Sequence, residues 1–587
     1  MHSHFDLLTN AEVGQNLPVR RGWIACIGAL LWVASVALYA ADGFGLAVGL
    51  LWLFGLVLAG AALYEPIARP ARLDLLAPLG LVAVFAPLYL IRFASLPVQV
   101  NSDEVAIMYY AKKYASLPHP DMFGLSEYFG HPVALLVVWG KLGNLFGGVT
   151  LDHMRLLHAL TGLLTIGISY ALFRQLLAVQ WALVASAVLG LNHSFGMISR
   201  MAMRENTPVL VEVAALALLL YGLRRRNLFA TFLGGGIAGL GYYVHFPGRM
   251  IFPLWVVFLV VLAVVYRPPR LGRLAAVAIA GFVLVALPYV VAYLQAPADL
   301  KQHQREALLL TKDGRELQKS WVFEDSVWGG IAKNIEWGLG AFNNDHVDEA
   351  FIYPNFGHGI VDPLTGGLLW LGVLTLLVQA IRRRGPPWAV FPLVSFLVLW
   401  LVFAFLVGQA PDYPRMLVIL PFVAYLVAEA IRLLAGLSKR AAPAVAIAAL
   451  LAIGAWNGVI GWDFIDSGQF YGDDIGGTGR FVQSHSGIPG ERFYIAADQG
   501  SLAYYVWGTP QIWMQRLQLF AREDSQIGGV VDPRSLPQFA ANPPFIIFMR
   551  AELWNRVKHD FRQRYPHYGV HEITPDGLHL AVGVRRA

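Results

Sequence analysis

Long apolar runs recur along the chain and are separated by short polar loops. About 20 apolar residues in a helix are enough to cross the hydrocarbon core of a bilayer. A shorter apolar stretch, 131–146, contains Lys141 and Asn144, so we expect it to form a helix at the membrane interface. The pattern predicts an α-helical polytopic membrane protein with about 13 transmembrane helices. The predicted spans lie near 22–40, 46–64, 75–93, 153–172, 177–194, 207–223, 229–246, 250–266, 274–294, 365–381, 388–408, 414–434 and 442–461.

Composition agrees with this pattern. Of the 587 residues, 57% are hydrophobic and 14% are charged, whereas soluble domains carry about 25% charged residues. The single cysteine, Cys26, lies in the first apolar run, so an internal disulfide is excluded. The net charge of +6 comes from basic residues in short loops, which argues against a nucleic-acid surface.

The basic loops also predict the orientation. With the N-terminus (1–21) in the cytoplasm, each loop on that side carries arginine or lysine, as the positive-inside rule requires. This assignment holds only if 131–146 does not cross the membrane. The first run lacks the features of a cleaved signal peptide, so we expect a retained helix. The basic loops are EPIARPAR, the turn at Arg174, LRRRN, YRPPRLGR, IRRRG and LSKR.

Three long polar pieces then fall on the outer face, at 94–152, 295–364 and 462–587. We therefore divide the chain into a cytoplasmic N-terminus (1–21), a transmembrane domain (22–461) and a soluble C-terminal domain (462–587). In the last piece the strand-like runs RFYIAAD, PFIIFM, YGVHEI and LHLAVGV alternate with helical stretches. This alternation predicts a small α/β domain on the extracytoplasmic side.

The first outer loop carries two adjacent acids, Asp103 and Glu104. One interpretation is structural: Ser102 or Asp103 caps a helix whose dipole favours acids in its first turn. The other is catalytic, with a general base that meets an acceptor hydroxyl at the membrane edge. The two are compatible. Tyr109 follows on the same segment, and His131 precedes a proline that starts the interfacial helix.

Basic residues recur at three separate outer helix ends, where the orientation rule disfavours them. Guanidinium groups suit phosphate oxygens, although interfacial snorkelling is an alternative. Their recurrence predicts an anionic headgroup site. The residues are Arg200 and Arg204, Arg249 with His245, and Arg415 with Asp412 and Tyr413.

Two other acidic positions are candidates. Glu212 lies inside a predicted span, where an ionisable group is a functional-site hypothesis; we expect it to be shielded in the bundle, where it could pair with another helix. Asp345 and His346 lie in the second outer loop and, with the acidic pair, could bind a divalent metal. Their spacing fits no metal motif, so no metal ligand is assigned.

Several segments together resemble a known family. The acidic pair, the HP-helix-FG segment, SRMAMRENTPVLVEVAALALLLYGLRR, GLGYYVHFPGRMIFPLW, AFNNDHVDEAFIYPNFGHGIVDPLTGGLLWLGVL and PDYPRMLVILPFVAYLVAEAI follow in order over about residues 90–435. This set resembles the bacterial members of the dolichyl-phosphate-mannose protein mannosyltransferase family (glycosyltransferase family 39), which have the C-type membrane glycosyltransferase fold. The sequence departs from that pattern in two ways: two spans are added before the acidic loop, and Glu205 and Asn206 stand where many members differ.

The resemblance implies a transferase of the bacterial inner membrane that uses a polyprenyl-phosphate sugar at the outer surface. It implies that Asp103, with Glu104 beside it, supplies the base, that Arg200 and Arg204 approach the lipid phosphate, and that Arg415 is the late outer-loop arginine. The expected partners are membrane lipid, the lipid-linked donor and a protein, lipid or glycan acceptor, with no nucleic acid. No cofactor is assigned beyond the donor, and a divalent metal stays open.

Two other classes remain. A transporter or flippase of lipid-linked sugars would have paired ionisable residues and broken helices at mid-membrane. A non-catalytic assembly protein that binds through its C-terminal domain would tolerate loss of Asp103.

Overall fold

The chain folds as a helical bundle with a small sheet near its C-terminus. The computed structural model describes residues 19–98, 100–269, 271–322, 326–343, 358–383, 385–408, 410–438, 440–467, 474–485, 490–496, 515–520, 526–573 and 579–584. Its helices are α1 (Val19–Asp42), α2 (Leu46–Ala62), α3 (Arg72–Leu90), α4 (Ser102–Ser116), α5 (Val133–Leu145), α6 (Leu151–Arg174), α7 (Val179–Leu191), α8 (His193–Arg200), α9 (Thr207–Arg225), α10 (Leu228–Leu240), α11 (Ile251–Val261), α12 (Leu271–Gln295), α13 (Ala298–Glu306), α14 (Lys312–Val322), α15 (Val327–Gly340), α16 (Pro363–Ile381), α17 (Phe391–Phe405), α18 (Tyr413–Met416), α19 (Leu420–Ala435), α20 (Ala442–Ser467), α21 (Asp474–His485) and α22 (Ala551–Arg564).

Ten of the described helical segments are long and apolar enough to cross a membrane, and α7 with α8, bent by 59°, makes an eleventh. The shorter apolar helices α2 and α10 coincide with the other two predicted spans. The prediction of a polytopic helical membrane protein is therefore confirmed. The 13 residues of α5 rise about 20 Å, less than the roughly 30 Å hydrocarbon core.

The first two helices form a tight hairpin that packs on α12. A Cβ atom on Gly55 would lie 2.9 Å from the carbonyl oxygen of Gly28, so only glycine lets these backbones touch. The indole nitrogens of Trp32 and Trp52 both donate to the Leu284 carbonyl, at 2.7 and 2.9 Å. The hairpin therefore belongs to the bundle.

Helix α4 begins with a capping box, and its cap differs from the one predicted. The Asn101 side chain accepts a hydrogen bond from the Asp103 amide (2.9 Å), while the Glu104 carboxylate accepts one from the Asn101 amide (3.4 Å). The prediction of Ser102 or Asp103 as the cap was wrong, because Asn101 supplies the capping oxygen. Both acids instead occupy the first turn.

The predicted C-terminal α/β region contains a five-stranded sheet of order β2-β1-β3-β5-β4. Its strands are β1 (Arg492–Ala496), β2 (Gln526–Val531), β3 (Phe545–Arg550), β4 (Tyr568–Glu572) and β5 (His579–Val584). β1 pairs in parallel with β2 and β3, and the other pairs are antiparallel. The four predicted strands are present, and β2 is an addition. The domain boundary at 461/462 stays a prediction; α20 itself continues to Ser467.

Candidate active site

Asp103 and Arg204 meet at the hydroxyl of Tyr128. That hydroxyl donates to an Asp103 carboxylate oxygen at 3.1 Å and accepts from Arg204 Nη1 at 2.7 Å. Arg204 Nη2 also lies 3.4 Å from the other Asp103 oxygen. The Asp103 side chain is 20% exposed, so a ligand can reach its carboxylate.

The neighbouring Glu104 has a different environment. Its side chain and that of Arg155 are both 0% exposed, and two bonds of 2.9 Å join them. The Ala202 amide donates to the same carboxylate at 2.8 Å. Glu104 thereby ties α4 to α6 and to the segment after α8, and its oxygens face protein groups.

A buried acid and two histidines lie beside Arg204. One Glu205 oxygen is 3.3 Å from Arg204 Nε and 3.8 Å from His245 Nε2. The His131 ring lies 5.3 Å from the His245 ring, and neither His131 nitrogen has a hydrogen-bond partner among the described residues. Burial first, and then neighbouring cations such as Arg204, hold the pKa of both histidines well below the ordinary value. Both imidazoles are therefore neutral at pH 7.

The ring of Phe246 joins two further arginines to this cluster. The guanidinium carbons of Arg249 and Arg415 lie 5.1 and 5.8 Å from its centroid. The rings of His131, His245 and His303 lie within 5.1, 4.9 and 5.7 Å of the same centroid. Cation–π contacts of this kind hold guanidinium groups without an anion.

The two arginines have different partners. Arg415 pairs with the buried Asp412 at 2.7 Å. Arg249 donates to Gln304 Oε1 and to the Tyr289 hydroxyl, both at 2.6 Å. Among the described residues, no carboxylate forms an ion pair with Arg249. Arg249 is thus a cation whose charge a bound anion would balance.

Other predicted site residues lie elsewhere. Arg200 donates to the carbonyls of Leu88 and Ile91 at the end of α3, at 2.6 and 2.5 Å. The Tyr413 hydroxyl donates to the Ala341 carbonyl at 2.7 Å. None of these contacts links either side chain to the Phe246 cluster.

Three more predicted positions remain to be placed. The Tyr109 hydroxyl donates to Gln515 of the C-terminal domain at 3.0 Å. Glu212 is buried in α9, as expected, and forms no ion pair with a described residue. Asp345 lies outside the described residues.

The sequence interpretation missed four members of the site. Tyr128 and Phe246 adjoin predicted candidates along the chain, so proximity to His131 and His245 was the available signal. His303 and Gln304 lie on α13 in the second outer loop, where no local pattern distinguishes them. They join the site only through folding.

No group of three or more His, Cys, Asp or Glu side chains in the described part of the chain is arranged to hold a metal ion. Of the residues considered for one, Glu104 is already paired with Arg155, and Asp345 and His346 are not described.

Comparison with known proteins bears on this arrangement. The sequence model of the dolichyl-phosphate-mannose-protein mannosyltransferase family matches residues 78–302. That interval holds Asp103, Arg204 and Arg249 and ends before Arg415 and the C-terminal domain. No curated protein matches the chain in sequence.

Two solved structures are also similar to the chain. ArnT from Cupriavidus metallidurans bound to undecaprenyl phosphate superposes with a TM-score of 0.50 at 15% identity, over 87% of this chain and 98% of ArnT. The oligosaccharyltransferase AglB from Archaeoglobus fulgidus, in complex with an inhibitory peptide and a dolichol-phosphate, gives a TM-score of 0.48 at 13% identity, over 88% of this chain and 74% of AglB.

The resemblance seen in the sequence is therefore confirmed over residues 78–302, which match the dolichyl-phosphate-mannose-protein mannosyltransferase family, and the chain as a whole is an integral membrane protein that shares the fold of ArnT.

Proposed function

We propose that this protein is a membrane glycosyltransferase that moves a sugar from a polyprenyl monophosphate to an acceptor hydroxyl. One observation carries the proposal: a reachable carboxylate, Asp103, shares a cluster with Arg204, Arg249 and Arg415. A base and an anion site are the two groups that such a transfer needs. The undecaprenyl phosphate bound to ArnT supports this donor class.

Asp103 is the proposed base. Among the acids of the cluster its side chain is 20% exposed, whereas those of Glu205 and Asp412 are 3% and 1% exposed. Glu104 is engaged by Arg155, so we assign it a structural role. Asp103 takes the proton of the acceptor hydroxyl while the hydroxyl oxygen attacks the anomeric carbon.

The bond between that carbon and the phosphate oxygen breaks, and its electron pair stays on the phosphate. Attack from the opposite face inverts the anomeric configuration. The phosphate gains one negative charge, which Arg204, Arg249 and Arg415 stabilise electrostatically. A phosphate leaving group is stable as an anion, so no general acid is needed, in contrast to glycosidases.

The basic loops support an orientation with this site on the outer side of a bacterial inner membrane. The C-terminal domain lies on the same side in this proposal. The assay below varies the sugar of the donor and offers membrane extracts as the source of acceptors.

The test is transfer of labelled sugar from a panel of polyprenyl-phosphate sugars into membrane extracts. Asp103→Asn should abolish donor-dependent transfer at unchanged expression. Asp299→Asn is the matched control, since Asp299 is also a first-turn acid but is exposed on α13. Equal transfer by wild type and Asp103→Asn would remove Asp103 from the mechanism. Lipid-linked sugar crossing reconstituted vesicles, without transfer from any donor, would identify a transporter instead.

A further inference from the structure

The C-terminal domain packs directly on the helix that carries Asp103. A single buried hydrophobic cluster contains Val105 and Met108 of α4 together with Phe493, Ile546 and Phe548 of the sheet. A shared core of this kind restricts motion between the two parts, unlike a small polar interface. The domain is therefore placed to influence the geometry of α4.

Helix α21 adds a second contact just before α4. A Cβ atom on Gly476 would lie 1.6 Å from the Val100 carbonyl oxygen, so the backbones touch there. Arg480 Nη2 donates to the Ala94 carbonyl at 3.0 Å. The segment that leads from α3 to the capping residue Asn101 is thus held by the C-terminal domain.

A third contact continues from the domain to the proposed base. Arg516 is 1% exposed and interacts electrostatically with the Tyr110 side chain, and Leu517 beside it packs in the buried cluster that holds Tyr110 and Tyr128. The Tyr110 ring stacks on Tyr128, with centroids 4.9 Å apart and planes 18° apart. The Tyr128 hydroxyl in turn bonds Asp103 and Arg204. Three consecutive contacts therefore lead from Arg516 in the C-terminal domain to the base.

We propose that Arg516 is a positioning residue for the transfer reaction, holding Tyr110 so that Tyr128 keeps the Asp103 carboxylate in place. This inference rests on the proposed function. It gives the C-terminal domain, which lies beyond the family match of residues 78–302, a part in the catalytic step. Holding the Asp103 carboxylate in one orientation matters because small misplacements of reacting groups reduce rates strongly.

The test compares Arg516→Met, Arg516→Lys and Tyr128→Phe in the full-length protein. Arg516→Met should lower kcat per folded molecule by about 10- to 100-fold with little change in the KM for the donor, and Arg516→Lys should recover part of the loss. Arg562→Met is the matched control, because Arg562 is exposed on α22. The double variant Arg516→Met/Tyr128→Phe should be no slower than Tyr128→Phe alone, since the first acts through the second.

Several results would overturn the inference. One is a wild-type kcat in Arg516→Met, and another is an additive loss in the double variant. A third is a lower melting midpoint with unchanged kcat per folded molecule, which would make Arg516 purely structural.

Hydrogen–deuterium exchange supplies a readout that does not need transfer. The amides over residues 103–110 should exchange faster in Arg516→Met than in Arg562→Met, and equal exchange would refute the positioning role. If wild type transfers no sugar, the proposed function fails, and the exchange experiment still decides whether Arg516 orders this helix.

Discussion

Replacing Glu104 by Gln should destabilise the protein, whereas replacing Asp103 by Asn should inactivate it. Glu104 and Arg155 are fully buried and share two bonds of 2.9 Å. Removing one partner of a buried ion pair leaves an uncompensated charge and costs about 3–5 kcal/mol. The loss is large against a typical folding stability of about 5–15 kcal/mol.

Asp103 makes longer hydrogen bonds than Glu104 and is more exposed to solvent. Its bonds to Tyr128 and Arg204 are 3.1 and 3.4 Å long, and its side chain is 20% exposed. A hydrogen bond of this kind contributes about 1 kcal/mol. With two such bonds at Asp103, the two neighbouring substitutions should differ by about 1–3 kcal/mol in stability, the difference of these estimates.

The assay is the unfolding midpoint in detergent, combined with transfer per folded molecule. Glu104→Gln should show a lowered midpoint, while the folded fraction keeps transferring sugar. Glu336→Gln is the control, since it breaks an exposed pair with Lys333 (3.1 Å) that contributes less than about 1 kcal/mol. A wild-type midpoint with abolished transfer in Glu104→Gln would refute this reasoning and make Glu104 the base.

Three further outcomes are expected. Arg249→Gln and Arg415→Gln should each lower kcat by about 10²–10³-fold in steady-state transfer, and a change in donor KM alone would contradict a role in the transition state. Burial holds the pKa of His245 below its ordinary value, so below about pH 6.5 this histidine binds a proton in the unfolded chain that it does not bind in the folded chain. His245 therefore contributes a loss of stability as pH falls from about 6.5 to 5, and His245→Gln should be more stable relative to wild type at pH 5 than at pH 7; parallel midpoint–pH curves for the two proteins would argue against it. Gly476→Ala places a methyl group 1.6 Å from the Val100 carbonyl oxygen and should lower the free energy of unfolding by about 1–3 kcal/mol through overpacking. The unfolding midpoint measures this loss, and an unchanged midpoint would show that the two backbones can move apart there without cost.

The sequence predicted the spans well because the length of an apolar run is a local property. The strands were predictable for the same reason, through alternation and β-branched content. β2 was missed because Gly528 and Gly529 interrupt its sequence, QIGGVV. Its pairing with β1 decides that it is a strand.

The site was predictable only in part. Arg200 and Arg204 are four positions apart and would share one face of a continuous helix. However, α8 ends at Arg200, and the extended residues Met201 and Met203 precede a short turn that starts at Arg204. The two guanidinium groups therefore point to different places, one to carbonyls of α3 and the other to Asp103. A break in the backbone of this kind has no periodic signal in the sequence.

The neutral partners of Arg249 have a consequence for anion binding. Its guanidinium is held by an amide oxygen, a tyrosine hydroxyl and the face of Phe246. An arginine that is already paired with a carboxylate must give up that pair when an anion arrives, whereas Arg249 can keep its supports and add the new contact. The positive charge of Arg249 is thus preorganised. The side-chain rearrangement that would otherwise accompany anion binding takes place during folding.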